Sequence, residues 1–279
     1  MNFSSAPEAQ SLRLADICLE KFSAGAVQQS PFQYFNADGA LAPAFAEEIY
    51  AAYPSYHEAK AMGREFAAVN EKLKTQITDW RKFPAPILEL HRVLASPEFV
   101  ARVEQMFGIP NLLADPDLDG GGIHETNSGG HLDVHVDFNV IPAKQWHRRV
   151  NLLFYFNKDW REEYGGYLDL WDPQVKNRVA YFQPAFNRVA GFATGSHSWH
   201  GVTPVTCPPG MMRRSFAVYY YTTEPPAEWD GTEHSTIFKA RPTEWVKGRV
   251  AMPVENALRL VRGGISSVKS GIKRFIPKG

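Results

Sequence analysis

Residues 129–139 read "GGHLDVHVDFN" and hold two overlapping copies of His-x-Asp, His131/Asp133 and His135/Asp137. Side chains alternate between the two faces of a β-strand, so this spacing predicts two imidazoles and two carboxylates on one face of one strand. Polar groups that are buried together need partners, and a divalent metal would supply one. The stretch therefore predicts a strand that carries a metal site.

The composition is that of an ordinary globular protein. The 279 residues include 30 basic and 30 acidic side chains, so the net charge gives no argument for binding nucleic acid. The two cysteines, Cys18 and Cys207, fit no Cys-x-x-Cys spacing and indicate a reducing, cytoplasmic setting. The sequence shows no signal-peptide pattern and no run of about 18 apolar residues, so we expect no membrane span.

The N-terminal part of the chain has a helical pattern. Residues 42–53 and 84–107 repeat apolar residues at three- and four-residue steps. Within the second stretch, Ser96, Pro97 and Glu98 form a typical helix start, with a capping residue followed by proline. We therefore expect residues 1–115 to be a helical support region.

From about residue 120 the pattern becomes that of short strands separated by Gly, Pro and Asn turns. About seven such strands at close spacing predict an antiparallel sandwich, a jelly roll or a small barrel over residues 116–228. The runs are "HLDVHVDF", "RRVNLLFYFN", "GYLDLWD", "RVAYFQP", "NRVAGFA", "HGVTPV" and "RRSFAVYYYTT".

Residues 229–279 form a C-terminal extension. Its end, residues 255–279, combines apolar residues at helical spacing with basic residues between them, although three glycines weaken the pattern. We expect a tail helix that packs on the body of the protein. Weak contact with an anionic membrane surface or an acidic partner is the alternative.

Residues further along the chain could act together with the His-x-Asp motif. His200 stands near the start of another predicted strand, and an arginine pair opens the strand after it. Two histidines and one carboxylate, with the second histidine far downstream, form the facial triad that binds ferrous iron and leaves positions open. An arginine close behind could pair with a dicarboxylate co-substrate through two hydrogen bonds.

Five segments occur here in a fixed order between residues 135 and 222: "HVDFN", "LLFYFNKDW", "GGYLDLWD", "HGVTPV" and "RRSFAVYYYT". In these segments the chain resembles the Fe(II)/2-oxoglutarate-dependent oxygenases of the prolyl 4-hydroxylase type. The resemblance implies a mainly β protein with flanking helices, built on a double-stranded β-helix, a cupin-like jelly roll. It also implies Fe(II), 2-oxoglutarate as co-substrate, O2, and ascorbate as a reductant.

The resemblance assigns roles to individual residues. The implied iron ligands are His135, Asp137 and His200. Arg213 would pair with the distal carboxylate of 2-oxoglutarate, and Tyr155 would donate a hydrogen bond to the same carboxylate. Arg214 would point to the opposite face, and the N-terminal helices would brace the outside of the barrel.

Several alternatives to these roles stay open. His131 and Asp133 compete as the first ligand pair, although they fit a place at the pocket mouth better. His197 competes with His200, and His124 is either a structural histidine or one that faces the co-substrate. Tyr155 would be plain core if it has no role.

The implied reaction is hydroxylation of an unactivated C–H bond with release of succinate and CO2. Halogenating relatives replace the carboxylate ligand by a small residue, whereas this chain retains Asp137. The other hypothesis is a metal-containing jelly-roll module that binds a sugar or peptide without oxidising it.

Substrate choice is the least determined part, because the shared core serves many substrates. A prolyl or other peptidyl substrate and a small molecule are both open. We expect residues 138–148 and the N-terminal region to select it. "KQWHRR", residues 144–149, would meet an anionic group or form a solvated charged loop.

Overall fold

In the computed structural model of the chain, residues 13–244 are described. The predicted basic amphipathic segment, residues 255–279, lies outside them and its contacts stay a prediction. The α-helices are α1 (Pro43–Ala52), α2 (Tyr56–Met62), α3 (Ala85–Leu94) and α4 (Pro97–Phe107). Short 3-10 helices occupy Arg13–Asp16, Leu19–Lys21, Ala24–Ala26, Trp80–Lys82 and Glu162–Tyr164.

The predicted start of α4 is confirmed. The Ser96 hydroxyl accepts a hydrogen bond from the backbone N–H of Phe99 at 3.3 Å, and Pro97 occupies the first helical position. The helix ends at Gly108, whose φ of 65° is the left-handed conformation that glycine adopts without strain. Local sequence therefore fixes both ends of this helix.

The rest of the described chain is mainly β-structure. The strands are β1 (Tyr34–Asp38), β2 (Arg64–Ala67), β3 (Glu71–Ile77), β4 (Leu113–Ala114), β5 (Gly122–Val136), β6 (Val140–Ile141), β7 (Trp146–Tyr155), β8 (Leu168–Trp171), β9 (Arg178–Phe182), β10 (Arg188–Ala193), β11 (His200–Val202), β12 (Met212–Thr222) and β13 (Ile237–Phe238). They form one antiparallel sheet with the order β1-β10-β7-β12-β5-β11-β8-β9 along its main path. This nearly closed arrangement confirms the jelly-roll core and flanking helices predicted from the sequence.

The two faces of the sheet have different neighbours. Leu152 and Phe154 on β7, with Phe216 and Val218 on β12, belong to the same buried apolar cluster as residues of α1, α3 and α4. Alternate residues of β7 face the other way, and Tyr155 packs with Leu168 and Phe192 in an interior cluster. The helices therefore brace the outside of the barrel, and its interior is left for the site.

The N-terminal region is less helical than its pattern predicts. It contributes β1, which pairs with β10, and the β2–β3 hairpin, which pairs with β5. The β3 sequence "EKLKTQI" carries polar residues on both faces, so alternation gave no strand signal there. Division of the chain at residues 115 and 228 stays a prediction.

A β-bulge interrupts β5, the strand that carries His131, Asp133 and His135. His135 on β5 lies opposite His200 on β11, whereas Leu132 lies opposite Val202, so three steps on β5 match two on β11. An extra residue in one strand moves the side chains that follow it to the opposite face of the sheet. The side chains between Leu132 and His135 therefore do not alternate strictly between the two faces of the sheet.

Within residues 13–244, no helix combines the length and the apolar character needed to cross a membrane.

Candidate metal and co-substrate site

Two neighbouring strands bring the predicted metal ligands together. His135 lies near the end of β5, Asp137 follows that strand directly, and His200 begins β11. Because His135 and His200 are register partners, their ring centroids lie only 4.2 Å apart. One ligand atom from each of the three residues lies within 4.8 Å of the others, as a shared metal ion requires.

Hydrogen bonds fix which nitrogen of each imidazole carries the proton. The Nδ1 of His135 lies 2.8 Å from the carbonyl oxygen of Asp133, and the Nδ1 of His200 lies 2.9 Å from that of Ser198. A carbonyl oxygen can only accept, so Nδ1 is the donor in both rings. Each Nε2 therefore presents a lone pair to the site, which is the form that binds a metal.

Neither Nε2 atom carries a proton, and both face the carboxylate of Asp137. The Nε2 atoms of His135 and His200 each lie 3.5 Å from a carboxylate oxygen of Asp137. Burial, reinforced by the neighbouring His135, lowers the pKa of His200 to about 3, so this ring is neutral at physiological pH. Three acceptors packed together in this way fit a cation between them.

Asp137 is held in its charged form. Burial by itself would raise the pKa of this carboxyl, but the charge of the Arg148 guanidinium holds the pKa well below its ordinary value. Arg148 lies 3.1 Å from Oδ2, and the side-chain amide of Asn151 donates to the same oxygen at 2.8 Å. The carboxylate is therefore ionised and ready to act as a ligand.

A buried arginine lines the cavity that also contains the three metal-ligand candidates. Arg213 on β12 is 3% exposed, and its Nε donates to the carbonyl oxygen of Gly166 at 2.6 Å. Its guanidinium carbon lies 5.1 Å from the ring centroid of Tyr155, the residue on β7 that pairs with Ser215. Burial lowers the pKa of Arg213 from its ordinary value, although the group remains a cation.

This arginine lacks a counter-ion within residues 13–244, where no carboxylate lies within ion-pair distance of it. Its Nη2 atom is buried without a hydrogen-bond partner, as is the hydroxyl of Tyr155. An unpaired buried charge is costly, so a binding site for an anion is the simplest account. Two unsatisfied donors, one of them cationic, fit the carboxylate of a bound acid.

Gly166 makes room for the arginine. A Cβ atom on this residue would lie 3.0 Å from the Cδ of Arg213 and 3.3 Å from the ring of Trp160. Its φ of 69° is in the left-handed region that favours glycine. Gly166, the second glycine in "YGGYLDLWD", therefore leaves the space that the Arg213 side chain occupies.

The triad and Arg213 line one cavity of about 510 Å³. Its apolar lining includes Leu153, Leu168 and Phe192. Residues of the β2–β3 hairpin, such as Arg64 and Phe66, form another part of the wall. One continuous cavity therefore contains a candidate metal site, a candidate anion site and additional space for a ligand.

The sequence of this core matches a known family. Residues 121–221 match the family model described as the 2OG-Fe(II) oxygenase superfamily. These residues are a 2OG-Fe(II) oxygenase domain. The match contains all three metal-ligand candidates together with Arg213 and Tyr155.

Solved structures share the fold of the oxygenase domain. A prolyl hydroxylase from Trichoplax adhaerens, solved in complex with a peptide fragment of the hypoxia inducible factor oxygen degradation domain, is 18% identical over 75% of this chain and 89% of its own, with a TM-score of 0.50. A prolyl 4-hydroxylase from Pseudomonas putida is 15% identical over 71% and 98%, with a TM-score of 0.51. Prolyl 4-hydroxylases from Phytophthora capsici give 17% identity over 91% and 78%, with a TM-score of 0.52. No curated protein matches the sequence.

Asp133, from the first His-x-Asp copy, does not face the cavity that contains the metal-ligand candidates. Because of the bulge in β5, Asp133 is absent from the cavity lining that includes Leu132 and His135. Its carboxylate instead lies 3.7 Å from the guanidinium of Arg241, which also binds Asp169 at 3.2 Å. The prediction of four polar groups on one face is therefore wrong, because the extra residue in β5 turns Asp133 to the opposite face of the strand.

The competing histidines have other surroundings. His131 lines the cavity and lies 3.2 Å from the carbonyl oxygen of Val69, and its place at the pocket mouth stays a prediction. His197 is exposed and contacts its neighbour Ser196. His124 lines the cavity, and burial lowers its pKa well below the ordinary value, so it is neutral.

Two residues beside the triad escaped sequence reasoning. Arg148 belongs to "KQWHRR", but it is buried and binds Asp137, so it is not part of a solvated loop. The pairing of β7 with β12 shifts at Arg149, with Val150 opposite Tyr220 and Arg148 opposite Tyr221, which turns Arg148 inward. The ring of Phe238 on β13 lies 5.4 Å from that of His135. No local pattern predicts either contact.

Proposed function

We propose that the protein is an Fe(II)- and 2-oxoglutarate-dependent dioxygenase that hydroxylates an unactivated C–H bond and releases succinate and CO2. One observation carries the proposal. Two neutral imidazoles and an ionised carboxylate converge in the cavity that also contains a buried arginine without a counter-ion. The family match supports the same conclusion.

Each residue of the site has a role in this proposal. The residues that would hold iron are His135, Asp137 and His200. Arg213 and Tyr155 would bind the distal carboxylate of 2-oxoglutarate, because both keep a buried donor for it. When bound, iron, 2-oxoglutarate and O2 supply the oxidising chemistry.

The chain's own contribution is placement and protection. A triad of protein ligands leaves positions open for other ligands of the metal. Leu153, Leu168 and Phe192 line the cavity with apolar surface, which keeps water from the reacting groups. Asp137 stays ionised because Arg148 compensates its charge.

The substrate is a peptide or a small molecule. Residues of the β2–β3 hairpin line the cavity, as do Phe138 and Arg148 at the two ends of the segment 138–148. We propose that these segments select the substrate. A cytoplasmic location remains our prediction, and both cysteines are free thiols.

The alternative, a jelly-roll module that binds a ligand without oxidation, does not account for Arg213. A binding module needs a metal site at most, whereas a buried cation in the same cavity is the feature that a dicarboxylate co-substrate requires. Retention of Asp137 favours hydroxylation over halogenation.

The test is succinate formation from 2-oxoglutarate by the full chain with Fe(II), O2 and panels of peptides and small metabolites. We expect iron-dependent succinate that His135→Ala abolishes. His197→Ala, which alters an exposed histidine outside the cavity, should retain it. Wild-type protein that holds iron and forms no succinate with any panel member would favour the binding module.

A further inference from the structure

Arg148 is a buried cation beside the metal-ligand candidates. The residue is 4% exposed, and its guanidinium carbon lies 3.5 Å from the ring centroid of Tyr219 and 4.7 Å from that of Phe138. Tyr219 is itself anchored, because its hydroxyl donates to the carbonyl oxygen of Gly120 at 3.0 Å. Two aromatic rings and a fixed hydroxyl therefore restrict the guanidinium to one position.

Arg148 and Asn151 form a hydrogen-bonded unit around Asp137. The Nε of Arg148 donates to the amide oxygen of Asn151 at 2.8 Å. The amide nitrogen of Asn151 donates to Oδ2 of Asp137 at 2.8 Å, and Nη2 of Arg148 lies 3.1 Å from the same oxygen. Each member of the unit thus fixes the orientation of the other two.

Both donors act on one oxygen of the carboxylate. Nε2 of His135 lies 3.5 Å from Oδ1, and Nε2 of His200 lies 3.5 Å from Oδ2. A carboxylate oxygen has about two lone-pair sites, so Arg148 and Asn151 occupy those of Oδ2, and the lone pairs of Oδ1 stay available. We propose that Arg148, acting with Asn151, is a positioning residue that holds Asp137 so that it binds the metal through Oδ1 alone. This inference rests on the proposed function, since it takes Asp137 as an iron ligand.

Single-oxygen binding has a consequence for the reaction. A carboxylate that used both oxygens would occupy one of the positions that the facial triad leaves open for co-substrate and oxygen. By holding Oδ2, the unit keeps that position free. Arg148 lines the cavity, yet the role assigned to it is exerted through Asp137.

Charge and positioning predict opposite effects when the arginine is removed. A cation close to the site repels a divalent metal, so its loss should strengthen metal binding if charge alone mattered. Loss of a partner that orients a metal ligand typically weakens metal affinity about 10- to 100-fold. The sign of the change therefore separates the two roles.

The experiment titrates Co(II) into the metal-free full chain by calorimetry and records the visible spectrum of bound Co(II). We expect Arg148→Met to weaken Co(II) binding about 10- to 100-fold and to alter the spectrum. Arg148→Lys, which keeps a cation and a donor, should restore part of the affinity. Arg149→Met is the matched control, because the neighbouring arginine binds Thr222 instead of Asp137, and it should leave both readouts unchanged.

Affinity for Co(II) that is equal to or tighter than wild type in folded Arg148→Met would overturn the inference. If Arg148→Met does not fold, Asn151→Ala decides, since it removes the second donor to Oδ2. Weaker binding in Asn151→Ala supports the role, and unchanged binding overturns it. Wild-type protein that fails to bind Co(II) would contradict the proposed function itself, so the two failures are distinguishable.

Discussion

The guanidinium of Arg213 lies 5.1 Å from the ring centroid of Tyr155, and each of these side chains keeps a buried donor without a hydrogen-bond partner. They stand on paired strands, β12 and β7, and face the interior of the barrel. A ligand carboxylate would satisfy both donors.

Arg213→Met should abolish most of the affinity for 2-oxoglutarate. Hydrogen bonds to charged groups contribute about 1.5–3 kcal/mol each, so a loss of about 100-fold or more is expected. Calorimetric titration of 2-oxoglutarate into metal-loaded protein measures it. Without ligand, the melting temperature of the variant should equal or exceed that of wild type, because an unpaired buried charge is removed.

Arg214→Met provides the contrasting variant. Arg214 faces the opposite side of β12, where its Nε lies 3.8 Å from the buried carboxylate of Glu125. We expect this change to lower the melting temperature and to leave 2-oxoglutarate affinity intact. The reverse pattern would show that the two arginines were assigned to the wrong sides.

Tyr155→Phe should reduce 2-oxoglutarate affinity about 5- to 10-fold, since it removes one neutral hydrogen bond of about 1 kcal/mol. The ring, which packs with Leu168 and Phe192, is retained, so folding should not change. The same titration checks the prediction. An unchanged affinity would make Tyr155 a plain core residue.

Glu125 should make stability depend on pH. Burial raises the pKa of this carboxyl to about 7, with Glu58 adding to the rise and Arg214 opposing it. A folded-state pKa above the unfolded value means that the contribution is fully present below about pH 4 and is lost as pH rises through 7.

Glu125→Gln removes this titration. Relative to the variant, the wild-type free energy of unfolding should fall by on the order of 3 kcal/mol between pH 4 and 8. Urea denaturation of both proteins across that range measures the difference. Parallel profiles would show that Glu125 has an ordinary pKa in the folded protein.

Arg241 should be important for stability. It bridges Asp133 and Asp169, which are 0% and 1% exposed. Removing one partner of a buried ion pair typically costs about 3–5 kcal/mol, and we expect Arg241→Met to lower the free energy of unfolding by about 3 kcal/mol. Chemical denaturation checks this. Lys239→Met, an exposed control nearby, should change it by less than about 0.5 kcal/mol.

Much of this architecture could be predicted from local sequence. Short apolar and aromatic runs between Gly, Pro and Asn turns located β7, β8, β9, β10 and β12, and capping residues located the start of α4. The ordered motifs around His135, Asp137 and His200 also selected residues that the fold places within metal-binding distance. Their role as ligands stays a prediction, as does the role of Arg213 and Tyr155 toward the co-substrate.

The remaining features depend on contacts that alternation does not encode. One bulge turns Asp133 away from the cavity, and another turns Arg148 into it. A bulge is a property of two paired strands, so neither strand alone reveals it. Phe238 contacts the ligand candidate His135, and Arg241 contacts Asp133, both from a segment that is distant in sequence. Only the completed fold determines where that segment packs.

The most direct test of co-substrate binding is an anaerobic titration of the Fe(II)-loaded full chain with 2-oxoglutarate, followed by the visible absorption that iron gains when the co-substrate binds. We predict saturable absorption for wild type that is lost in Asp137→Ala and requires far more 2-oxoglutarate in Arg213→Met. Wild-type protein that holds iron and gives no absorption change would contradict the assignment of this cavity to 2-oxoglutarate.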